Sequence, residues 1–181
     1  SLEFHGVIDS NAMERAIQKL VERHEALRAT FSTDGIYMSI FKKLSIELSF
    51  QDLSHLDKTA KSASLKQYIT EEGLFVFDLV QGPLIKFGLL KLSDTEHQLV
   101  ITAHHIICDG WSIGIMLQDL GAIYSAYVEN KTPSLTESIP FSSYAKEEKL
   151  VSNSEENQEI EKYWFEMYKE SVPIVTLPTD N

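Results

Sequence analysis

A β-hairpin predicted in the middle of the chain constrains the fold more than any other feature. Residues 84–92 and 98–103 are apolar and β-rich, and the polar residues 93–97 between them are typical of a turn. Stretches with one apolar face at helical spacing lie on either side, at residues 10–27 and from residue 111 onwards. A hairpin flanked by helices favours a mixed-sheet α/β or α+β fold, which we expect to be a two-layer sandwich.

The apolar pattern also predicts the elements around the hairpin. They are strands at residues 2–7, 36–41 and 45–50, helices at 56–73 and 155–170, a loop at 131–140 and an irregular end at 172–181. Ser10 is a plausible N-cap for the first helix, because its hydroxyl can accept a backbone N–H.

The bulk properties limit the classes of partner. A length of 181 residues suits one domain or one lobe of a larger domain. A net charge of −11 argues against nucleic acid and against anionic membrane surfaces. No apolar run approaches the ~20 residues that a membrane-spanning helix needs. The single cysteine, Cys108, cannot form an internal disulfide, which fits a cytoplasmic location.

Two adjacent histidines are the strongest candidates for chemistry. His104 and His105 end the second hairpin strand and precede a loop and a helix start, where scaffolds commonly present functional groups. Adjacent side chains on a strand point to opposite faces, so we expect one ring to face inward and the other a cavity. Asp109 can fold back across the loop, and Gly110 permits a tight turn.

Simpler interpretations of these residues remain open. A histidine at a strand end is often only structural. A metal site would need further ligands at suitable spacing, and the other histidines are scattered along the sequence. Cys108 is a weak candidate nucleophile, because a small apolar residue is usually buried and no base lies beside it in sequence.

Several ordered motifs resemble one family. Residues 103–112, AHHIICDGWS, resemble the HHxxxDG active-site motif of condensation domains from nonribosomal peptide synthetases. Residues 23–31 are similar to the RHExLRTxF segment of that family, and residues 77–84 resemble its FDLxxGPL segment. Residues 163–164 and 177–180 resemble later family landmarks.

The resemblance implies an architecture and partners. Complete members resemble two chloramphenicol-acetyltransferase-like lobes with a channel between them, and residues 1–181 would be the N-terminal lobe with the C-terminal lobe absent. Donor and acceptor carrier proteins would deliver their substrates on phosphopantetheine arms, and the chain itself would bind no cofactor or metal. We expect the lobe alone to be inactive, and its exposed face makes self-association plausible.

The same resemblance implies roles for individual residues. His105 would act on the acceptor amine as a base or as a positioning group, and His104 would support it. Asp109 is expected to be structural, held in a buried pair with Arg28. Gly110 would let the pantetheine arm or the developing oxyanion approach backbone N–H groups, unless it is a plain turn glycine.

Rival functions share the same motif. A chloramphenicol-acetyltransferase-type acyltransferase and an epimerisation domain both use a similar HHxxxD motif. A non-catalytic lobe that only docks carrier proteins is an alternative of a different class.

Overall fold

The computed structural model describes residues 1–152, 154–172 and 174. The family landmark at residues 177–180 and most of the irregular end at 172–181 lie outside the described residues. The chain divides into two compact units, Ser1–Ser138 and Ile139–Asn181. Each unit is described by itself.

The first unit holds the strands of the described chain and three of its α-helices. The strands are β1 (Leu2–His5), β2 (Ala29–Phe31), β3 (Met38–Ile40), β4 (Leu48–Asp52), β5 (Ile85–Lys91) and β6 (Glu96–Ala103). The helices are α1 (Ser10–Arg23), α2 (Lys58–Gly73) and α3 (Gly110–Val128), with a short 3₁₀ helix at Glu25–Arg28. The second unit holds α4 (Phe141–Ser152) and α5 (Glu155–Tyr168).

The main sheet has four strands in the order β1-β6-β5-β4. β5 and β6 pair antiparallel, with Ile85 opposite Ala103 and Lys91 opposite His97, so the predicted hairpin is confirmed. β1 is antiparallel to β6, whereas β4 is parallel to β5, which makes the sheet mixed. β2 and β3 form a separate antiparallel pair.

Helix α1 forms where the apolar spacing predicts it. Its apolar stripe is fully buried: Ala12, Met13, Ala16, Ile17, Leu20 and Val21. The predicted cap at Ser10 is wrong, because Asp9 has the extended backbone of an N-cap and its carboxylate accepts the N–H of Ala12 at 3.0 Å. Ser10 is therefore the first helical residue.

Helices cover both faces of the main sheet. Leu89 and Leu99 lie in the larger core, to which α1 and α3 contribute. Their neighbours Leu90 and Val100 point to the opposite face and pack with Leu65 of α2. Because adjacent strand residues alternate between faces, both sides of β5 and β6 are apolar. The mixed α/β class is confirmed, and α2 adds a layer beyond the expected two-layer sandwich.

Helix α4 was not predicted from the sequence. It lies next to the predicted loop at residues 131–140, and none of its residues is buried. Leu150 and Val151 are among its exposed apolar residues, so it shows no apolar stripe of the kind that revealed α1. Across the described part of the chain, no helix is both long and apolar enough to cross a bilayer.

Candidate active site

The two histidines follow directly after β6. The N–H of His104 donates to the carbonyl of Leu84 at 2.9 Å, which continues the hairpin ladder by one residue. The carbonyl of His104 accepts the N–H of Ile107 at 3.1 Å, so the chain turns sharply at this point. Ile107 is buried and anchors the far side of the turn in the main core. The turn therefore presents His105 at the end of a rigid hairpin.

His104 is the more constrained of the two histidines. Its side chain is half-buried, and its Nδ1 accepts the N–H of Ile106 at 3.1 Å. An acceptor nitrogen carries no proton, so the neutral ring holds its proton on Nε2. The ring also lies 6.2 Å from the ring of Phe77 in an edge-to-face arrangement at 85°. These contacts suit a structural role.

His105 is exposed and lies on an open groove of about 470 Å³. Both histidines line this groove. The other lining residues come from the end of α2, the segment after it, and β6; they include Ile69, Glu72, Phe75, Phe77 and Thr102. The groove thus offers His105 a surface on which an acyl chain or an amine could lie beside its ring.

Asp109 caps α3. Its carboxylate accepts the backbone N–H of Ser112 at 2.9 Å and the hydroxyl of Ser112 at 2.7 Å. The backbone and hydroxyl hydrogen bonds from Ser112 lower the pKa of Asp109 below its ordinary value, and proximity to His105 adds a smaller contribution in the same direction. The cap fixes the start of the helix that follows the histidine turn.

The predicted buried pair of Asp109 with Arg28 is wrong. Asp109 is exposed, so no buried charge requires a partner there. The guanidinium of Arg28 instead donates to backbone carbonyls, among them Val21 at 3.1 Å and Phe41. Arg28 therefore connects α1 to the residues after β3, and the carbonyl groups satisfy it.

Gly110 is the first residue of α3 and is exposed. It does not have positive φ, and a Cβ placed on it would meet no atom within 4 Å. Neither its backbone conformation nor its packing requires glycine, which corrects the expectation of a tight turn at this residue. The approach of a substrate arm to Gly110 stays a prediction.

A buried ion cluster was not foreseen from the sequence. Asp119 of α3 accepts from Nε of Arg23 at 2.8 Å and lies 2.8 Å from Nε2 of His24. His24 was predicted to lie in the core, and it does lie half-buried against α3, but as a polar partner. The signal that could have revealed the cluster is a carboxylate between Met116 and Leu120 on an otherwise apolar helix face.

Cys108 does not fit a nucleophile. Burial raises the pKa of its thiol, and the negative charge of Asp109 raises it further, so the thiolate is disfavoured. The sulfur lies 3.9 Å from the carbonyl oxygen of His104, within the turn. Within residues 1–152, 154–172 and 174, no group of three His, Cys, Asp or Glu side chains is placed to hold a metal ion.

Comparison with known proteins now decides the family. The model of the condensation-domain family matches residues 1–181. The chain belongs to the condensation-domain family. A linear gramicidin synthase of Brevibacillus parabrevis is 35% identical over 178 residues, which are 97% of this chain and 3% of that protein. Malpibaldin synthetase of Mortierella alpina is 34% identical over 182 residues, 99% of this chain and 3% of that protein.

Solved structures of condensation domains share the fold. VibH, an NRPS condensation enzyme, is similar with a TM-score of 0.74 and 26% identity, over 96% of this chain and 40% of VibH. The starter condensation domain of rhizomide synthetase gives a TM-score of 0.82 at 23% identity, over 91% of this chain and 40% of that chain. This condensation-domain chain therefore spans well under half of those structures and only a few per cent of the curated relatives.

Proposed function

We propose that this chain is the N-terminal lobe of a domain that forms amide bonds between two carrier-bound substrates. The observation that carries the proposal is the exposed imidazole of His105, held on the groove by a turn whose other histidine is half-buried. Membership of the condensation-domain family supports the reaction class. The donor would be an acyl or peptidyl thioester, and the acceptor an aminoacyl thioester.

The chemistry requires one positioned proton acceptor. The amine nitrogen of the acceptor attacks the thioester carbonyl, a C–N bond forms, and the C–S bond breaks to release the thiol of the donor arm. An α-amino group has a pKa near 8, so part of it is already neutral at cellular pH. His105 would orient that amine, take the proton that the nitrogen loses and pass it to the leaving sulfur.

The neighbouring residues would hold this geometry. His104 fixes the turn from the inside, and Asp109 fixes the start of α3 on its other side. Gly110 is exposed with open space around it, so a pantetheine arm could approach its backbone there. The chain itself would bind no cofactor, because phosphopantetheine arrives on the carrier proteins.

The complete site would need a second lobe. The chain covers about 40% of the solved relatives, and His105 lies on an open groove with one wall. We therefore propose that the C-terminal lobe supplies the other wall and that the isolated lobe catalyses no condensation. Self-association of the lobe through exposed apolar surface and a cytoplasmic location, which suits the free thiol of Cys108, are parts of the same proposal.

The test is amide formation by the complete domain with loaded donor and acceptor carrier proteins. His105→Ala should lower the turnover number by roughly 10²–10⁴-fold, the usual contribution of a positioned acid or base. His55→Ala is the matched control, because His55 is also exposed but lies in the loop before α2, and it should keep full activity. Full turnover by His105→Ala would contradict the proposal and favour the docking lobe or another HHxxxD reaction.

A further inference from the structure

Phe77 lies between α2 and β5, and its contacts are not explained by core packing alone. Its half-buried ring meets two other rings edge to face. The ring of Phe75 is 4.9 Å away at 78°, and the ring of His104 is 6.2 Å away at 85°. Such pairs are favourable at centroid distances of 4.5–7 Å and prefer one relative orientation. Phe77 therefore restricts how the imidazole of His104 can rotate.

The orientation of His104 determines the shape of the turn. Its Nδ1 accepts the N–H of Ile106 at 3.1 Å only when the ring faces the backbone two residues ahead. The carbonyl of the same residue accepts the N–H of Ile107 at 3.1 Å. His105 lies inside the segment that these two hydrogen bonds close, while its own ring stays exposed. A rotated His104 ring would release one of the two bonds.

Phe75 is itself held from the far side. The ammonium of Lys86 lies 3.9 Å from the centroid of the Phe75 ring and 2.7 Å from Oε1 of Glu72. A cation over a ring face and an ion pair together fix the position of that ring. The contacts thus run without a gap from the end of α2, through Lys86, Phe75 and Phe77, to His104.

We propose that Phe77 is a positioning residue for the condensation reaction. Its edge-to-face contact holds His104 in the rotamer that bonds Ile106, and the turn then presents His105 at a fixed position over the groove. This inference rests on the proposed function of His105. Phe77 itself touches no reacting atom in this account.

A spectroscopic test measures the positioning directly. In the complete domain with ¹⁵N-labelled histidine, Nδ1 of His104 should give the shift of an unprotonated acceptor nitrogen, and Nε2 that of a protonated one. Phe77→Leu should move the His104 ring resonances and mix the two tautomers, whereas Phe77→Tyr should preserve them. An unprotonated Nε2 in the wild-type domain would overturn the proposal, and this measurement needs no variant.

The kinetic test separates positioning from folding. Phe77→Leu should lower kcat by roughly tenfold with KM nearly unchanged, because small displacements of a reacting group lose rate rather than affinity. Phe77→Tyr should restore kcat to within about twofold. Phe50→Leu, which removes an exposed ring on β4, is the matched control and should behave as wild type.

The outcomes distinguish this inference from the proposed function. Loss of activity in His105→Ala together with wild-type kcat in Phe77→Leu would overturn only the positioning role. Retained activity in His105→Ala would overturn the proposed function, whatever Phe77→Leu does. A loss in Phe77→Leu that Phe77→Tyr fails to restore would also overturn the positioning role, since it would mean that aromatic geometry is not what the site needs.

Discussion

Asp109 acts as a helix cap, and this determines what its removal should do. Asp109→Ala leaves the N–H of Ser112 without its side-chain acceptor, so we expect Tm to fall by only a few degrees. Asp109→Asn keeps an acceptor oxygen and should stay near wild type. The measurement is thermal unfolding of the three proteins at neutral pH. A collapse of the fold in Asp109→Ala would show that the carboxylate balances a buried cation after all.

The same cap should depend on pH. The pKa of Asp109 is lowered in the folded chain, so its contribution is complete above the ordinary value of 3.8. The contribution is lost as the pH falls through the lowered pKa, because protonation weakens the acceptor. The stability difference between wild type and Asp109→Asn should therefore change below pH 3.8 and stay constant above it.

His97 should make the chain sensitive to mild acid. It is 4% exposed, and its Nδ1 is buried without a hydrogen-bond partner. Burial is the largest cause that lowers its pKa below 6.5; nearby Lys91 lowers it too, while Asp52, Asp94 and the backbone of Gly6 act in the opposite direction. The unfolded state therefore binds the proton first, and stability falls as the pH drops below 6.5.

Replacement of His97 isolates this effect. The free energy of unfolding of wild type, measured in urea at pH 7.5 and 5.5, should fall at the lower pH by more than that of His97→Gln. His55→Gln, at an exposed histidine, is the control and should match wild type. An equal pH dependence in wild type and His97→Gln would contradict the assignment.

At the scale of elements, the contact between α2 and β5 depends on a glycine. A Cβ on Gly88 of β5 would lie 2.0 Å from the hydroxyl oxygen of Tyr68 on α2. Gly88→Ala should therefore destabilise the chain by about 1–3 kcal/mol, the usual penalty for overpacking. The penalty should shrink when Tyr68→Ala is also present, which a double-mutant cycle in urea measures.

A control for that cycle lies in α3. Gly121 has no atom within 4 Å of an added Cβ, so Gly121→Ala should be neutral or stabilising. If Gly88→Ala costs the same in both backgrounds, Tyr68 is not what limits the space there.

Elements with local, repeated patterns could be predicted from the sequence. The β5–β6 hairpin and α1 have clear apolar periodicity, so their type and position followed from it. β2 has only three residues, and α4 has no buried face, so neither has a periodic signal. The parallel pairing of β4 with β5 joins residues about 40 apart in sequence, which local patterns do not encode.

The candidate site shows the same division. The position of His104 and His105 after a strand could be read from neighbouring residues. The partner of Asp109 could not, because both a cap and an ion pair satisfy a carboxylate, and only the three-dimensional structure shows which donor is near. The cluster of Arg23, His24 and Asp119 joins residues 95 or more apart in sequence, so spacing alone could not reveal it.

At the scale of the whole molecule, the chain is one part of a larger machine. It belongs to the condensation-domain family, and it spans about 40% of solved relatives such as VibH. The proposed reaction needs an enclosed channel and two carrier proteins, and the groove beside His105 is open. The account therefore assigns the reactive imidazole to this lobe and the closure of the site to the lobe beyond it.

The most direct test is a single-turnover measurement of amide formation by the complete domain, with both carrier proteins loaded and saturating. Under these conditions the rate reports the chemical step rather than carrier binding. We expect His105→Ala to slow that step by at least roughly 100-fold while His55→Ala leaves it unchanged. A wild-type single-turnover rate in His105→Ala would contradict the claim that this imidazole serves the reaction.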